Sequence, residues 1–333
     1  MSDNSQPPNQ QAMMAQMMGQ MMQMMQTMQG APAETILGKE VEDKGLDERI
    51  IRPATFKRMT VKQQGINVGQ LFRLFIGDDG KALGLPLGIT MVLSGPPFTG
   101  KTRTSTQIVS IIASMGYKVA LVVSEEIYFD EDNRRNDLHS RFCTIGMAAL
   151  DMTEEEFKSK VLEYVYVVPN PYHTALKEKE EENTNWERFF NVFYKPLVEN
   201  EGVKFWVIDS LNALDPVNKR RSADNLNAIK TYNQENGVTC IVISQVGADG
   251  VPQGGNPLLH NAEASVHFYE KSIGSKEEAA EWNSTYRARI MVAKARSKVC
   301  KTVPHEVRMA SSDSGTIVVD PDHPFNQYPV SDY

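Results

Sequence analysis

The residues with the clearest chemical meaning form the segment GPPFTGKT, residues 95–102. This segment fits the phosphate-binding pattern GxxxxGK[ST] at every position. Small residues in such a loop let backbone N–H groups face the β- and γ-phosphates at a helix N-terminus, where the helix dipole favours an anion. We therefore expect ATP to bind at Gly95, Pro96, Pro97, Phe98, Thr99, Gly100, Lys101 and Thr102.

Two residues of this loop carry reactive groups. Lys101 would place a positive charge on the β- and γ-phosphates, and the Thr102 hydroxyl would hold Mg²⁺. The flanking sequence agrees, because residues 88–95 form a short apolar run with β-branched residues, and residues 102–116 show helical spacing. The sequence therefore predicts a strand, a phosphate loop and a helix.

Two later patterns also predict structure. Thr153 with Glu156 three residues on predicts a capping box that opens a long helix. Residues 264–271 and 286–298 alternate as paired strands do.

Three later apolar runs each end in a polar group. Residues 118–126 end in Glu125 and Glu126, and residues 237–246 carry Gln245 near their end. Residues 203–211 deliver Asp209. Ligands of parallel α/β sheets bind at strand ends. We expect one of the two glutamates to orient the attacking water, Asp209 to hold Mg²⁺ through water, and Gln245 to sense the γ-phosphate.

Composition limits the class of protein. The chain has 333 residues, of which 41% are hydrophobic, and its formal charge is -7. That charge argues against bulk coating of nucleic acid but leaves a local basic groove possible. The sequence shows no run long enough to span a membrane and no cleavable signal. Three separated cysteines suit a reducing compartment, so we expect a cytoplasmic protein.

The N-terminal part differs from the rest. Residues 1–32 are a Met/Gln-rich low-complexity tail, and residues 33–84 are interpreted as a linker with a short helical segment before an ATPase domain at 85–333. The tail has methionines at coiled-coil spacing, which suits docking to a protein partner. The alternative is a disordered tail with partial helicity. The methionines are Met14, Met18, Met21, Met25 and Met28.

The order of these motifs resembles the RecA-type ATPase core, and most closely the bacterial RadA (Sms) proteins with their KaiC and DnaB relatives. Residues 83–102 are similar to that group's lead-in to its phosphate loop, and VVSEE is similar to its strand ending in the catalytic glutamate. The match is best at Glu125, with Glu126 as the second choice. The resemblance covers residues 83–325 and implies an α/β fold, with a mostly parallel sheet, helices on both faces and a C-terminal antiparallel extension.

The resemblance also implies further site residues. AKARS contains Lys294 and Arg296 in the place of the family's Lys-Asn-Arg signature, and in such assemblies these charges act on the γ-phosphate of the next subunit. This predicts a homo-oligomer, either a ring or a filament. A long glycine-rich loop at residues 247–261 follows the run that carries Gln245, and the segment 254–256 within it is similar to the DNA-binding loop of RecA recombinases. Candidate contacts to single-stranded DNA are Gly254, Gly255 and Asn256, with the basic residues Lys219, Arg220 and Arg221.

The chain departs from the RadA pattern at both ends. It has neither the N-terminal four-cysteine zinc motif nor the C-terminal protease-like domain, and the middle residue of the Lys-Asn-Arg signature differs. Two functions therefore remain as hypotheses. The first is a DNA-dependent ATPase of recombination, repair or replication, acting as a helicase or a strand-exchange protein. The second is a KaiC-like regulatory ATPase that binds a protein partner and does not act on DNA.

Overall fold

The computed structural model of the protein describes residues 65–69, 72, 75, 83–124, 128–129, 137–169, 185–214, 222–247, 250–272, 276–277, 289–297, 305–311 and 317–319. Only the backbone is described at 169, 185, 270–272 and from 289 onward. The Met/Gln-rich tail and most of the predicted linker lie outside these residues. The predicted segment boundaries at residues 32 and 84 therefore stay predictions.

The described strands form a small hairpin-like pair and one large sheet. Strands β1 (Gly65–Ile66) and β2 (Leu85–Pro86) pair antiparallel. The large sheet has the strand order β11-β10-β9-β8-β3-β7-β6-β4-β5. Its strands are β3 (Thr90–Gly95), β4 (Val119–Val123), β5 (Val165–Pro169), β6 (Phe205–Asp209), β7 (Thr239–Gln245), β8 (Ala264–Ser272), β9 (Arg289–Ser297), β10 (His305–Ser311) and β11 (Ile317–Val319).

The strand pairing changes from parallel to antiparallel at β8. The six strands from β8 to β5 in this order run parallel, whereas β8, β9, β10 and β11 pair antiparallel in succession. This confirms the predicted α/β fold, with a mostly parallel sheet and a C-terminal antiparallel extension. The prediction that residues 264–271 and 286–298 contain paired strands is also confirmed.

Helices connect the parallel strands, as parallel pairing requires. The described helices are α1 (Lys101–Ser114), α2 (Leu138–Leu150), α3 (Glu154–Lys160), α4 (Asn185–Arg188), α5 (Lys195–Glu199), α6 (Leu211–Leu214), α7 (Ser222–Asn236) and α8 (Gly255–Asn261). A π-helical segment (Phe189–Tyr194) joins α4 to α5 without a break.

The sheet is buried on both faces. Successive side chains of a strand point to opposite faces, so neighbouring residues join different cores. Leu93 and Ile243 pack with residues of α1 and α2 in one core. Val92 and Val242 pack with residues of α7 and of the helix at 185–199 in the other. Burial on both faces explains why these strands read as continuous apolar runs.

Two local predictions differ in detail from the structure. The capping box at Thr153 and Glu156 is present, but the predicted long helix ends at Lys160, and a 3₁₀ turn (Leu162–Tyr164) leads into β5. The predicted long loop after β7 contains helix α8, because Gly254 adopts a left-handed conformation (φ 105°) that begins the helix. Among the described residues, no helix is long and apolar enough to cross a membrane.

Candidate functional site

The phosphate loop lies between β3 and α1, as predicted. Its backbone needs unusual conformations, since Gly95 has φ 149° and Gly100 has φ 93°. A side chain at Gly95 would also meet the carbonyl oxygen of Phe268, because a Cβ built there lies within 2.4 Å of it. Glycine at position 95 is therefore required by the close approach of β8 as well as by the conformation of the loop.

The Lys101 ammonium lies inside this loop. Its side chain is only 7% exposed, and Nζ donates hydrogen bonds to the carbonyl oxygens of Gly95 (2.8 Å) and Pro96 (2.6 Å). The Thr99 hydroxyl donates to the same Pro96 oxygen at 2.8 Å. The positive charge is thus fixed at the centre of the segment predicted to hold the phosphates, where its interaction with an anion is weakly screened.

Thr102 and Asp209 meet at the predicted metal position. The Thr102 hydroxyl donates to Asp209 Oδ2 at 2.6 Å. Both residues line a cavity of about 30 Å³ together with Ser105 and Thr106, and this volume suits about one water molecule. Hydroxyl and carboxylate oxygens are the protein ligands that Mg²⁺ prefers, so the donor set fits the metal that an ATPase uses. When bound, Mg²⁺ neutralises charge that develops on the phosphates.

The strand ends bring the other candidates to the same edge of the sheet. Gln245 pairs with Gly95 across β3 and β7, and Asp209 pairs with Val123 across β4 and β6. Glu125 and Glu126 lie outside the described residues, two and three positions after Val123. Since parallel strands end at one edge, the chain leaves β4 beside Asp209 and on the side of the sheet where the phosphate loop lies.

Ser124, the residue before Glu125, is held by hydrogen bonds to the end of β6. Its hydroxyl donates to the carbonyl oxygens of Asp209 (2.7 Å) and Ser210 (3.1 Å), and its backbone N–H donates to Asp209 O at 2.9 Å. No pattern in the sequence marks Ser124 for this role, although it directly precedes Glu125. These bonds fix the end of β4 relative to the end of β6, the strand that carries Asp209.

Tyr128, three residues after Glu125 in the sequence, is held by His139. The Tyr128 carbonyl accepts from the His139 N–H at 2.7 Å, and the Tyr128 hydroxyl lies 3.3 Å from His139 Nδ1. Burial, reinforced by Cys143 and Asp137, raises the pKa of Tyr128 to about 12. This phenol therefore stays neutral at physiological pH and serves as a hydrogen-bonding group rather than as a charge.

A histidine lies beneath the phosphate loop. His267 pairs with Ser94 across β3 and β8, and its Nδ1 lies 3.0 Å from the Ser94 hydroxyl. On its other side His267 pairs with Lys294 of β9, and Ser265 pairs with Arg296. Strands lie about 4.8 Å apart, so the backbone of Lys294 is about 10 Å from that of Ser94 in the same chain.

The predicted DNA-binding residues are only partly described. Lys219, Arg220 and Arg221 lie outside the described residues. Gly254, Gly255 and the exposed Asn256 lie at the start of α8. A Cβ built on Gly254 would lie 3.3 Å from Cβ of Ser222, the residue that follows Arg221. The start of α8 therefore lies beside the residue that follows the predicted basic segment in the sequence.

The comparisons with known proteins agree with this geometry. A phosphate loop after a central parallel strand, with an aspartate at the end of the strand two places away in the sheet, is typical of a P-loop ATPase of the RecA type. The family model described as "ATPase: KaiC" matches residues 44–323, and the chain belongs to this family. The protein is thus a P-loop ATPase that binds and hydrolyses a nucleotide.

A solved structure supports the fold. The KaiC-like protein PH0186 from the hyperthermophilic archaeon Pyrococcus horikoshii OT3 superimposes with a TM-score of 0.51 at 19% sequence identity. The match covers 78% of this chain and 100% of that chain. No curated protein sequence matches this chain.

Proposed function

We propose that the protein is a DNA-dependent ATPase that binds single-stranded DNA and hydrolyses ATP as a homo-oligomer, in recombination, repair or replication. One observation carries this proposal. The chain leaves β7 at Gln245 and returns to it at Gln253, because the Gln253 N–H donates to the Gln245 carbonyl at 2.8 Å and Val246 pairs with Pro252. A surface loop tied to the candidate γ-phosphate sensor is placed to respond to nucleotide.

The proposed DNA contacts follow from this placement. Ser222, which directly follows the basic residues Lys219, Arg220 and Arg221 in the sequence, lies against Gly254. Arginine and lysine side chains bind phosphates through charge, whereas loop backbone N–H groups and Asn256 add neutral hydrogen bonds. Within this proposal, Glu125 or Glu126 orients the water, Asp209 and Thr102 hold Mg²⁺, and Lys101 binds the phosphates.

The test is the ATPase rate with and without single-stranded DNA. We expect DNA to stimulate the rate, and we expect DNA affinity to fall steeply with added salt because binding releases counterions from phosphates. Replacing Lys219, Arg220 and Arg221 together by Ala should remove the stimulation and reduce the salt dependence. The Lys101→Ala variant controls for contaminating ATPase. An ATPase rate indifferent to DNA, or DNA binding that ignores salt, would reject the proposal.

A second candidate function has its own support. The family match is to KaiC-type ATPases, the chain carries a formal charge of -7, and residues 247–261 contain no Lys or Arg. These features suit a regulatory ATPase that binds a protein partner, with the Met-rich residues 1–32 as the docking segment. Specific retention of one protein that depends on residues 1–32, together with no retention of DNA, would favour this candidate over the first.

A further inference from the structure

A buried carboxamide connects the nucleotide site to the glycine-rich loop. Asn212 lies in α6, three residues after Asp209, and is only 4% exposed. Its Nδ2 donates to the Ser222 hydroxyl at 3.2 Å and to the Gln253 carbonyl at 3.3 Å. Its Oδ1 accepts from the Ser244 hydroxyl at 3.3 Å. One side chain therefore contacts the first residue of α7, the end of β7 and the glycine-rich loop.

The same contacts hold the base of the loop. Ser244 is fully buried, and its hydroxyl also donates to the Gln253 carbonyl at 3.3 Å. The Gln253 N–H donates to the Gln245 carbonyl at 2.8 Å. Gln245 in turn pairs with Gly95. A chain of adjacent contacts thus leads from the first residue of the phosphate loop to Gln253, which directly precedes Gly254.

Asparagine suits position 212, where one side chain joins Ser222, Ser244 and Gln253. A carboxamide offers two donors and one acceptor, and the contacts on Asn212 use both kinds. A leucine of similar size would fill the space, but it would leave the buried Ser222 and Ser244 hydroxyls without this partner. The junction therefore depends on hydrogen bonding more than on volume. It can be broken by a substitution that keeps the packing.

We infer that Asn212 is a positioning residue that couples the nucleotide site to the glycine-rich loop at residues 247–261. A shift of Gln245 on nucleotide binding moves Gln253 through their shared hydrogen bond, and Asn212 passes that shift to the start of α7. Coupling of this kind is reciprocal, so a ligand on the loop changes nucleotide affinity by the same factor. The identity of that ligand as single-stranded DNA rests on the proposed function, whereas the coupling itself does not.

The first test needs no DNA. Hydrogen–deuterium exchange of the full-length protein is measured with and without Mg²⁺ and ATPγS. We expect the nucleotide to change exchange in residues 95–102 and 247–261 of the wild type. In Asn212→Leu, the change in residues 95–102 should persist while the change in residues 247–261 is lost. In Ser244→Ala, which removes one hydroxyl from the same junction, the loop response should fall by at least about half.

A matched control separates coupling from general loss of stability. Asn233 is also a buried asparagine, on α7, and its carboxamide links the Tyr194 hydroxyl (2.7 Å) to the Thr90 hydroxyl (3.0 Å). Thr90 begins β3 at the edge opposite the phosphate loop. Asn233→Leu therefore breaks a comparable junction at the edge of the sheet opposite Ser244 and Gln253. We expect it to lower thermal stability and to keep the nucleotide response of residues 247–261.

The second test uses an oligo(dT) strand. In Asn212→Leu, the KM for ATP should stay within about twofold of the wild-type value, while the DNA-stimulated kcat falls at least about fivefold. The ratio of oligo(dT) affinities with and without ATPγS should approach one. If oligo(dT) has no effect on the wild type but the exchange response depends on Asn212, the proposed function fails and the coupling stands.

Three results would overturn the inference. The first is a wild-type protein whose residues 247–261 do not respond to ATPγS. The second is a folded Asn212→Leu or Ser244→Ala variant with an unchanged loop response. The third is an Asn233→Leu variant that loses the response as completely as Asn212→Leu does, because the effect would then reflect stability alone.

Discussion

Phe98 is the residue of the phosphate loop that local backbone preferences explain least. It has φ 65°, a left-handed conformation, and its side chain is 99% exposed. This conformation costs an L-residue with a side chain roughly 1–2 kcal/mol, whereas glycine adopts it freely. An exposed aromatic ring gives nothing back within the chain itself, so the loop holds a residue that destabilises it locally.

We therefore predict that Phe98→Gly raises the free energy of unfolding by up to about 1 kcal/mol, the relief of strain being partly offset by the greater freedom of glycine in the unfolded chain. Phe98→Ala removes the ring but keeps the strained conformation, so it should not stabilise the protein. Thermal and urea unfolding of both variants measure the difference. Equal gains in the two variants would show that exposure of the ring, not backbone strain, is the cause.

Glu125 is the first candidate for the carboxylate that orients the attacking water, and Glu126 is the second. The hydrogen bonds of Ser124 to Asp209 and Ser210 hold the residue before Glu125 at the end of β6. We predict that Glu125→Gln retains nucleotide binding and lowers the hydrolysis rate at least about 100-fold, because the amide cannot polarise the attacking water. Glu126→Gln is the matched control and should keep most of the activity.

Measurement of ATP affinity and single-turnover hydrolysis separates these effects. If Glu126→Gln is the inactive variant and Glu125→Gln is active, the assignment is shifted by one residue. If neither variant is impaired, the catalytic carboxylate lies elsewhere in the chain.

At the scale of elements, a missing side chain lets three helices pack together. Gly146 of α2 faces α1 and α3, and a Cβ built there would lie 2.4 Å from Phe157 Cζ and 2.5 Å from Ser110 Oγ. Gly→Ala in an exposed helix stabilises by up to about 1 kcal/mol. At Gly146 the clash should outweigh this gain, so we predict that Gly146→Ala destabilises the protein by about 1–3 kcal/mol.

Urea unfolding checks the sign of this change, and Phe157→Leu provides the companion variant. The smaller side chain removes the ring atoms that the new methyl group meets. Gly146→Ala should therefore cost less in the Phe157→Leu background than in the wild type. An equal cost in both backgrounds would place the clash at Ser110 or in the helix itself.

The sequence predicted the elements well where the information is local. The phosphate loop, the apolar strands and the Thr153–Glu156 capping box depend on adjacent residues or on short spacings. The contacts of Asn212, Ser124 and His267 depend instead on strand order and register, which join residues more than 80 positions apart in the case of Ser124 and Asp209. No local pattern marks a polar residue as the partner of a distant strand, so the sequence alone does not predict these contacts.

In a homo-oligomer, Lys294 and Arg296 can act on the nucleotide of their own subunit or on that of a neighbour. Both lie on β9, and the register places the backbone of Lys294 opposite His267, two strands from the phosphate loop. The family resemblance predicts action on the neighbouring subunit. Variants Lys101→Ala and Arg296→Ala should each be inactive alone, since each removes one half of a shared site.

We predict that co-expression of these two variants restores part of the activity. In an equal mixture about a quarter of the interfaces combine an intact phosphate loop with an intact Arg296, so roughly a quarter of the wild-type ATPase rate should return. Separately purified variants that do not exchange subunits are the control. Failure to recover activity in mixed oligomers, confirmed by mass measurement, would indicate that Arg296 acts within its own chain.

The position of β3 in the sheet has a consequence for how the chain folds. Both neighbours of β3 come late, since β7 ends at Gln245 and β8 at Ser272, while β3 itself ends at Gly95. A strand whose partners are this distant in sequence gains its hydrogen bonds slowly, because long loops must close first. During synthesis the phosphate-loop segment therefore emerges well before the strands that shape it, and the ability to bind nucleotide arises among the last events of folding.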